Sequence, residues 1–234
     1  MHRFEFKYQL DPVQTLEARS FLNRIMQRDS YAPQGWYSVI SVYFDSIGLR
    51  DYYEKCGGFL NRKKIRLRTY EGAGRYWLEM KAKHDMGFRK VRAEIIEQDW
   101  HDCIDHNLTR ILSRIRPAQD QLALEELLGI IIGEARRPSA FIRYRRTPLV
   151  FGTLSDPIRM TFDEQIEASF DIGLDTPQSI TSILPHGSIL EVKFAKTLPS
   201  WFGTLVRQLH LTRTSFSKYA NAIDALHRYK PLPK

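Results

Sequence analysis

Eight short segments of this chain alternate apolar and polar residues, and a period of two dictates extended strands with one apolar and one polar face. They span residues 3–10, 36–45, 63–70, 75–83, 88–95, 140–150, 158–164 and 188–194. In "KKIRLRTY" (63–70), Lys64, Arg66 and Arg68 share one face while Ile65 and Leu67 share the other. The rule repeats along the chain. Glu5 and Lys7 lie opposite Phe4, Phe6 and Tyr8, and Glu79, Lys81 and Lys83 lie opposite Leu78 and Met80. Lys90, Arg92 and Glu94 share a face, as do Arg159, Thr161 and Asp163. Glu191 and Lys193 oppose Leu190, Val192 and Phe194.

An ordinary antiparallel sheet with its polar face in water accounts for any single strand of this kind. Solvated faces normally mix Ser, Thr, Asn and Gln with charges, whereas these are dominated by Lys and Arg with an occasional carboxylate. A closed sheet with the charges inside and the apolar side chains outside, covered by helices, accounts for the repetition. Helical patterns fall at 12–28, 48–56, 98–116, 119–134, 199–210 and 215–228, the first opening on Asp11 and Pro12. The links "EGAG" (71–74) and "HDMG" (84–87) suit hairpin turns. The fold expected is therefore α+β, a closed antiparallel β-barrel of about eight strands with helices outside. No linker or repeat divides residues 1–234, which are read as one domain. Like charges crowded into such a lumen repel strongly, so it calls for a polyanion, and the few carboxylates suggest a divalent metal beside it.

Composition agrees with an anionic partner. Lys and Arg number 35 against 27 Asp and Glu, a formal charge of +8, and the pI is near 9.5. Cys56 and Cys103 stand apart, with no zinc spacing around them, and read as reduced thiols in a cytoplasmic protein. The first ten residues carry charges where a signal peptide needs an apolar run. "LLGIIIG" (127–133) is too short to span a bilayer, so no membrane segment is expected. The seven histidines show no HExxH spacing, and no GxxxxGK[ST] phosphate loop occurs. Nucleic acid is disfavoured, because the charged faces lack the interleaved aromatics that stack bases.

The ordered set "FEFKY", "VYFD", "KIRLR", "LEMKAK", "RKVR", "YRR", "IRMTFD", "ILEVKF" and "SFSKY" resembles the VTC domain, the polyphosphate polymerase domain of the vacuolar transporter chaperone within the triphosphate tunnel metalloenzymes. The resemblance runs from Arg3 to about Tyr219 and implies a tunnel that binds ATP and polyphosphate with Mn²⁺ or Mg²⁺. It implies catalytic roles for Lys7, Arg66, Arg68, Lys81, Arg146 and Glu191, and substrate contacts from Lys64, Lys90, Tyr144, Arg159, Lys193 and Lys218. Glu191 matches the family's metal-binding glutamate, with Glu5 as a second candidate ligand. One departure is visible: the triphosphatase branch commonly opens on ExExK, and here Arg3 replaces the first glutamate.

That departure tilts the expected activity towards ATP-dependent polyphosphate synthesis. Hydrolysis of triphosphate or a nucleoside triphosphate, and polyphosphate binding without chemistry, are the alternatives. Asp163 is either a further metal ligand or the salt-bridge partner of Arg159. Glu79 and Glu94 are read as partners of neighbouring cations rather than ligands. The Tyr144 hydroxyl reaches phosphate or is satisfied within the core.

Overall fold

The computed structural model describes residues 4–85, 87–114, 116–153, 156–172 and 177–229. In chain order, β1 (Phe4–Leu10), α1 (Pro12–Ile25), β2 (Gln27–Arg28), β3 (Tyr37–Asp45) and α2 (Arg50–Cys56) come first. The hairpins β4 (Arg62–Tyr70), β5 (Tyr76–His84) and β6 (Gly87–Ile95) lead into α3 (Glu97–Ile104), α4 (Leu108–Leu112) and α5 (Ala118–Gly133). Next come β7 (Arg137–Phe151), β8 (Ile158–Ser169), β9 (Thr181–Leu184), β10 (Ser188–Phe194), α6 (Ser200–Gln208) and α7 (Lys218–Tyr229). All eight expected strands form, and the chain is α+β. It divides into two compact units, with β3, β7, β8 and β9 contributing residues to both.

The first unit comprises residues up to Ser38, Tyr144–Ile166 and Ser182–Ser217. Its strands run β1-β10-β8-β7, and β2 pairs with β7 at Gln27↔Val150. The apolar parity of β1, β8 and β10 is buried under α1 and α6: Tyr8, Met160, Phe162, Leu190 and Val192 meet Ala18, Leu22, Phe202 and Leu205. Removing such side chains from water drives the packing. Asp11 starts α1 with a reciprocal cap, accepting from the Gln14 amide at 2.8 Å while the Asp11 amide donates to Gln14 Oε1 at 3.0 Å. Gly187, at φ +82°, admits no side chain, since a Cβ there would lie 1.9 Å from the Leu10 carbonyl oxygen.

The second unit comprises Val39–Arg143, Glu167–Thr181 and the residues from Lys218 onward. Its order is β7-β3-β4-β5-β6, antiparallel between β3 and β6. Val42, Phe44, Ile65, Leu67, Leu78, Met80, Val91 and Ala93 form the apolar face, covered by Trp100, Ile111, Leu124, Leu127 and Ile131 of α3–α5. The helix expected over 98–116 is broken: His106 adopts φ +60°, and the Asn107 amide turns back to the Asp102 carbonyl at 2.7 Å.

The expected closed barrel is corrected by the strand pairing. The hydrogen-bonded order ends at β1 and at β6, and among the described residues no pairing joins those two strands. Both free edges have a reason not to pair. The outer edge of β1 is occupied by an extended segment, through a Tyr8↔Arg213 bridge and a 2.8 Å bond from the Thr214 amide to the Lys7 carbonyl. The β6 edge carries Arg89, Lys90 and Arg92, all exposed, and charged edges resist further strand addition.

Candidate functional site: two charged sheet faces

In the second unit the polar face of the sheet is ruled into cross-strand rows. Lys64 pairs in register with Lys81, and Lys81 with Lys90, so three ammonium-bearing residues lie side by side. Directly opposed like charges destabilise a sheet, and an anion spread over the row would remove that cost. The neighbouring row reads Tyr43, Arg66, Glu79, Arg92. Glu79 is 3% exposed and serves four cations. Arg66 donates through Nε and Nη2 to Glu79 Oε2 at 3.1 and 2.9 Å, and Arg68 lies 3.9 Å from the same oxygen. Lys90 and Arg92 approach Oε1 at 3.3 and 3.1 Å. Burial alone would raise the Glu79 pKa, but Arg66, Arg68 and Lys90 hold it down at about 2. Burial lowers the Lys90 pKa against the pull of Glu79. The Lys64 ammonium sits over the Tyr219 ring at 5.8 Å, and that of Lys81 over Phe88 at 4.9 Å.

The first unit has a charged face of different character, in which acids and bases come in pairs. Arg146 donates to both oxygens of the buried Asp163, at 2.7 and 2.8 Å, and its Nη2 lies 3.8 Å from Glu191. Asp163 therefore pairs with Arg146 and not with Arg159, whose guanidinium reaches Asp29 at 3.8 Å. Glu191 is ion-paired with Lys193. Lys7 bonds Glu5 at 3.2 Å and the Phe216 carbonyl at 3.2 Å. Burial would lower the Lys7 pKa, yet Glu191 and Glu5 outweigh it, so the net shift is upward and Nζ keeps its proton. Arg146 also lies over the ring of the buried Tyr144, at 5.3 Å.

These oxygens suit a hard divalent cation. Mg²⁺ is typically held by one or two carboxylates together with substrate phosphates and water, so a closed protein cage is not required. Among the described residues no cluster of three or more potential ligands forms such a cage. Glu191 is nearly buried, and Thr161, its register partner on β8, has a buried Oγ1 without a hydrogen-bond partner. A carboxylate beside an unsatisfied hydroxyl fits a site shared between protein and phosphate.

The expected site residues thus fall into two sets. Lys64, Arg66, Arg68, Lys81 and Lys90 share the second unit's face, and Lys218 opens α7 in the same unit. Glu5, Lys7, Tyr144, Arg146, Arg159, Glu191 and Lys193 belong to the first unit. Arg3 lies outside the described residues. Glu79 and Glu94 are cation partners as expected, Glu94 with Arg75 at 2.7 Å. Three residues on these faces were not assigned from the sequence. Arg92 shares the parity of Lys90 and could have been included on that signal. Tyr43 and Thr161 carry no charge; parity puts Thr161 on the face of Asp163, but only strand register sets it beside Glu191 and Tyr43 beside Arg66.

The model of the VTC domain family matches residues 2–227. No curated protein sequence is significantly similar to the chain. Among solved structures, a candidate adenylate cyclase of Bacillus halodurans superposes with a TM-score of 0.52 at 11% identity, covering 93% of this chain and 96% of its own. A candidate adenylyl cyclase of Hippeastrum, described as having a dominant triphosphatase activity, gives 0.52 at 14% identity over 97% of both chains. At these identities the likeness is one of fold. Among the described residues no helix is long and apolar enough to cross a membrane.

Proposed function

The chain belongs to the VTC domain family, and from that premise we propose that it is a metal-dependent polyphosphate polymerase. It transfers the γ-phosphate of ATP to the end of a polyphosphate chain: a terminal phosphate oxygen forms the new P–O bond, the bond to ADP breaks, and ADP leaves. The observation that carries this reading is the register-aligned row Lys64, Lys81, Lys90 beside Arg66 and Arg68. A row of equivalent cations suits a substrate of equivalent anionic units, because each unit can replace its neighbour with little change in interaction. Arg66 and Arg68 grip phosphate oxygens with planar forks, and Lys64, Lys81, Lys90 and Lys218 act as mobile point charges.

Lys7 and Arg146, both held in their charged forms, stabilise the charge that spreads over the transferred group. Tyr144, Arg159 and Lys193 complete the substrate contacts in the first unit. The attacking oxygen is already anionic, so no side chain need remove a proton from it. Glu191, with Glu5 as the second candidate, would hold Mn²⁺ or Mg²⁺, which supplies charge neutralisation and orientation of phosphate oxygens.

Incubating the protein with ATP and Mn²⁺ and resolving the products on a gel tests the reading. A ladder of polyphosphates is expected. Free phosphate without a ladder would instead make the protein a triphosphate or nucleoside-triphosphate hydrolase, and unchanged ATP would make it a binding module.

A further inference from the structure

The motif "VYFD" is assigned no task by the reading above, yet two of its residues lead directly to Arg66. Tyr43 lies opposite Arg66 in the β3–β4 register, and its hydroxyl accepts a hydrogen bond from Arg66 Nη1 at 3.1 Å. Glu79 takes Nε and Nη2 of the same guanidinium. The planar group is therefore held from two sides, and a plane held from two sides cannot swing about its last torsion. Tyr43 is itself fixed. Its ring stacks on Tyr219 with centroids 5.0 Å apart and planes 21° from parallel. The Tyr219 hydroxyl donates to Asp45 Oδ2 at 2.6 Å. Asp45 in turn accepts from the Ser46, Asp51 and Tyr52 amides at 2.7, 3.0 and 3.2 Å, anchoring the start of α2. Ser139 of β7 bonds the Tyr43 carbonyl at 2.9 Å. The chain of contacts runs from Tyr219 of "SFSKY" through Asp45 and Tyr43 of "VYFD" to Arg66 of "KIRLR", and these residues all belong to the second unit.

We propose that Tyr43 is a positioning residue for nucleotide binding: its hydroxyl fixes the guanidinium plane of Arg66, and Tyr219 with Asp45 fixes Tyr43. This rests on the proposed role of Arg66 in gripping the phosphates of ATP. The groups facing the Tyr43 phenol are Arg66, Arg68 and Lys64 of β4, Glu79 through Arg66, and Asp45 through Tyr219. Burial would raise the phenol's pKa, but Arg66, Arg68 and Lys64 bring it down to about 8. Above that pH a phenolate stands beside Arg66, competes with phosphate for it, and weakens ATP binding. The hydroxyl thus gives nucleotide affinity an alkaline limb.

The test is titration of the intact protein with ATP at pH 7 and pH 9, for wild type, Tyr43→Phe, Tyr219→Phe and Arg66→Ala. Tyr43→Phe keeps the stacked ring and removes the hydroxyl, so its thermal melt should match wild type. At pH 7 it should bind ATP about three- to tenfold more weakly, less than the full loss of a charge-assisted contact because Glu79 still holds the guanidinium. Its loss of affinity between pH 7 and 9 should be smaller than that of the wild type. Tyr219→Phe frees the stacked pair from Asp45 and should show a weaker version of the pH 7 effect with the limb retained. Tyr43→Phe binding with wild-type affinity and an unchanged limb, while Arg66→Ala binds poorly, would overturn the role of Tyr43 and leave the phosphate site standing. Unaltered binding by Arg66→Ala would overturn the phosphate site itself.

Discussion

On the charged face of the first unit, Glu5, Asp163 and Glu191 each answer a nearby cation, whereas on that of the second unit a single acid, Glu79, lies among four. On the proposed function, this difference suits the two faces to different tasks. Paired acids and bases neutralise each other, and such a surface is stable without a ligand. It also holds carboxylate oxygens that a metal can recruit when phosphate draws the cations away. In the lysine row like charges are opposed in register, although Lys90 also reaches Glu79 at 3.3 Å, so a polyanion along it would relieve repulsion. On the proposed function, the first face would hold the metal beside its phosphate contacts, and the second would hold phosphate alone.

The strongest way to break this contrast is to remove the acid from one face and then from the other. Glu191→Gln keeps the shape of the side chain and removes the charge that would hold the metal. Metal-dependent turnover should fall by orders of magnitude while polyphosphate binding is kept or tightened, because the face gains net positive charge. Near-normal turnover would leave the Lys193 ion pair as the residue's role. Glu79→Gln should act on stability. Its folded pKa, about 2, lies below the ordinary carboxylate value, so its contribution is present above roughly pH 4.5 and is lost as pH falls towards 2. At neutral pH the variant should lose about 3 kcal/mol, and its stability should no longer decline with that acid transition. A denaturant melt at pH 7 and at pH 3 reads both.

Arg66→Ala sharpens the same contrast through binding. Loss of a charge-assisted contact costs on the order of 1.5–3 kcal/mol, or about ten- to a hundredfold in ATP affinity. Glu79 keeps Arg68, Lys90 and Arg92, so the fold should tolerate the change. An unaltered affinity would remove Arg66 from the site.

Strand parity in the sequence was enough to place Lys64, Arg66, Arg68, Lys81 and Lys90 each on the charged face of its own strand, although Lys63 and Trp77 interrupt the alternation in β4 and β5. It could not decide closure. Whether edge strands meet depends on what lies along them, and the 213–214 segment that occupies the β1 edge is far away in sequence. Nor could parity find the partner of Asp163: Arg159 shares its strand face, but Arg146 reaches across from β7 with both donors. Tyr43 was hidden for another reason. β3 mixes Tyr37, Val39, Ser41, Tyr43 and Asp45 on one parity and carries no cation, so nothing in "WYSVISVYFD" marks which residue faces Arg66 until its register with β4 is known. The break after α3 is equally local in outcome and nonlocal in cause, since His106 turns to let α4 bury Leu108 and Ile111.

The smallest expected effect separates the faces most cleanly, because the same type of change should have opposite signs. Lys81 lies between Lys64 and Lys90 in register and is exposed. Lys81→Ala should remove like-charge repulsion worth roughly 0.2–1 kcal/mol, raising Tm by about 0.5–4 °C for a chain of this size. Salt screens interactions between exposed charges, so the gain should shrink from low ionic strength to about 0.5 M. Lys193→Ala removes the ion-pair partner of Glu191 and leaves a nearly buried carboxylate with Arg146 at 3.8 Å. It should lower Tm, and less steeply with salt, because the carboxylate end of the pair is buried and poorly screened. Polyphosphate added to each variant gives the second half of the comparison. The wild type should be stabilised more than Lys81→Ala, since part of the repulsion that polyphosphate relieves has been deleted. If Lys81→Ala lowers Tm in low salt, the lysine row is not under electrostatic stress, and its alignment alone would no longer argue for an anion along it.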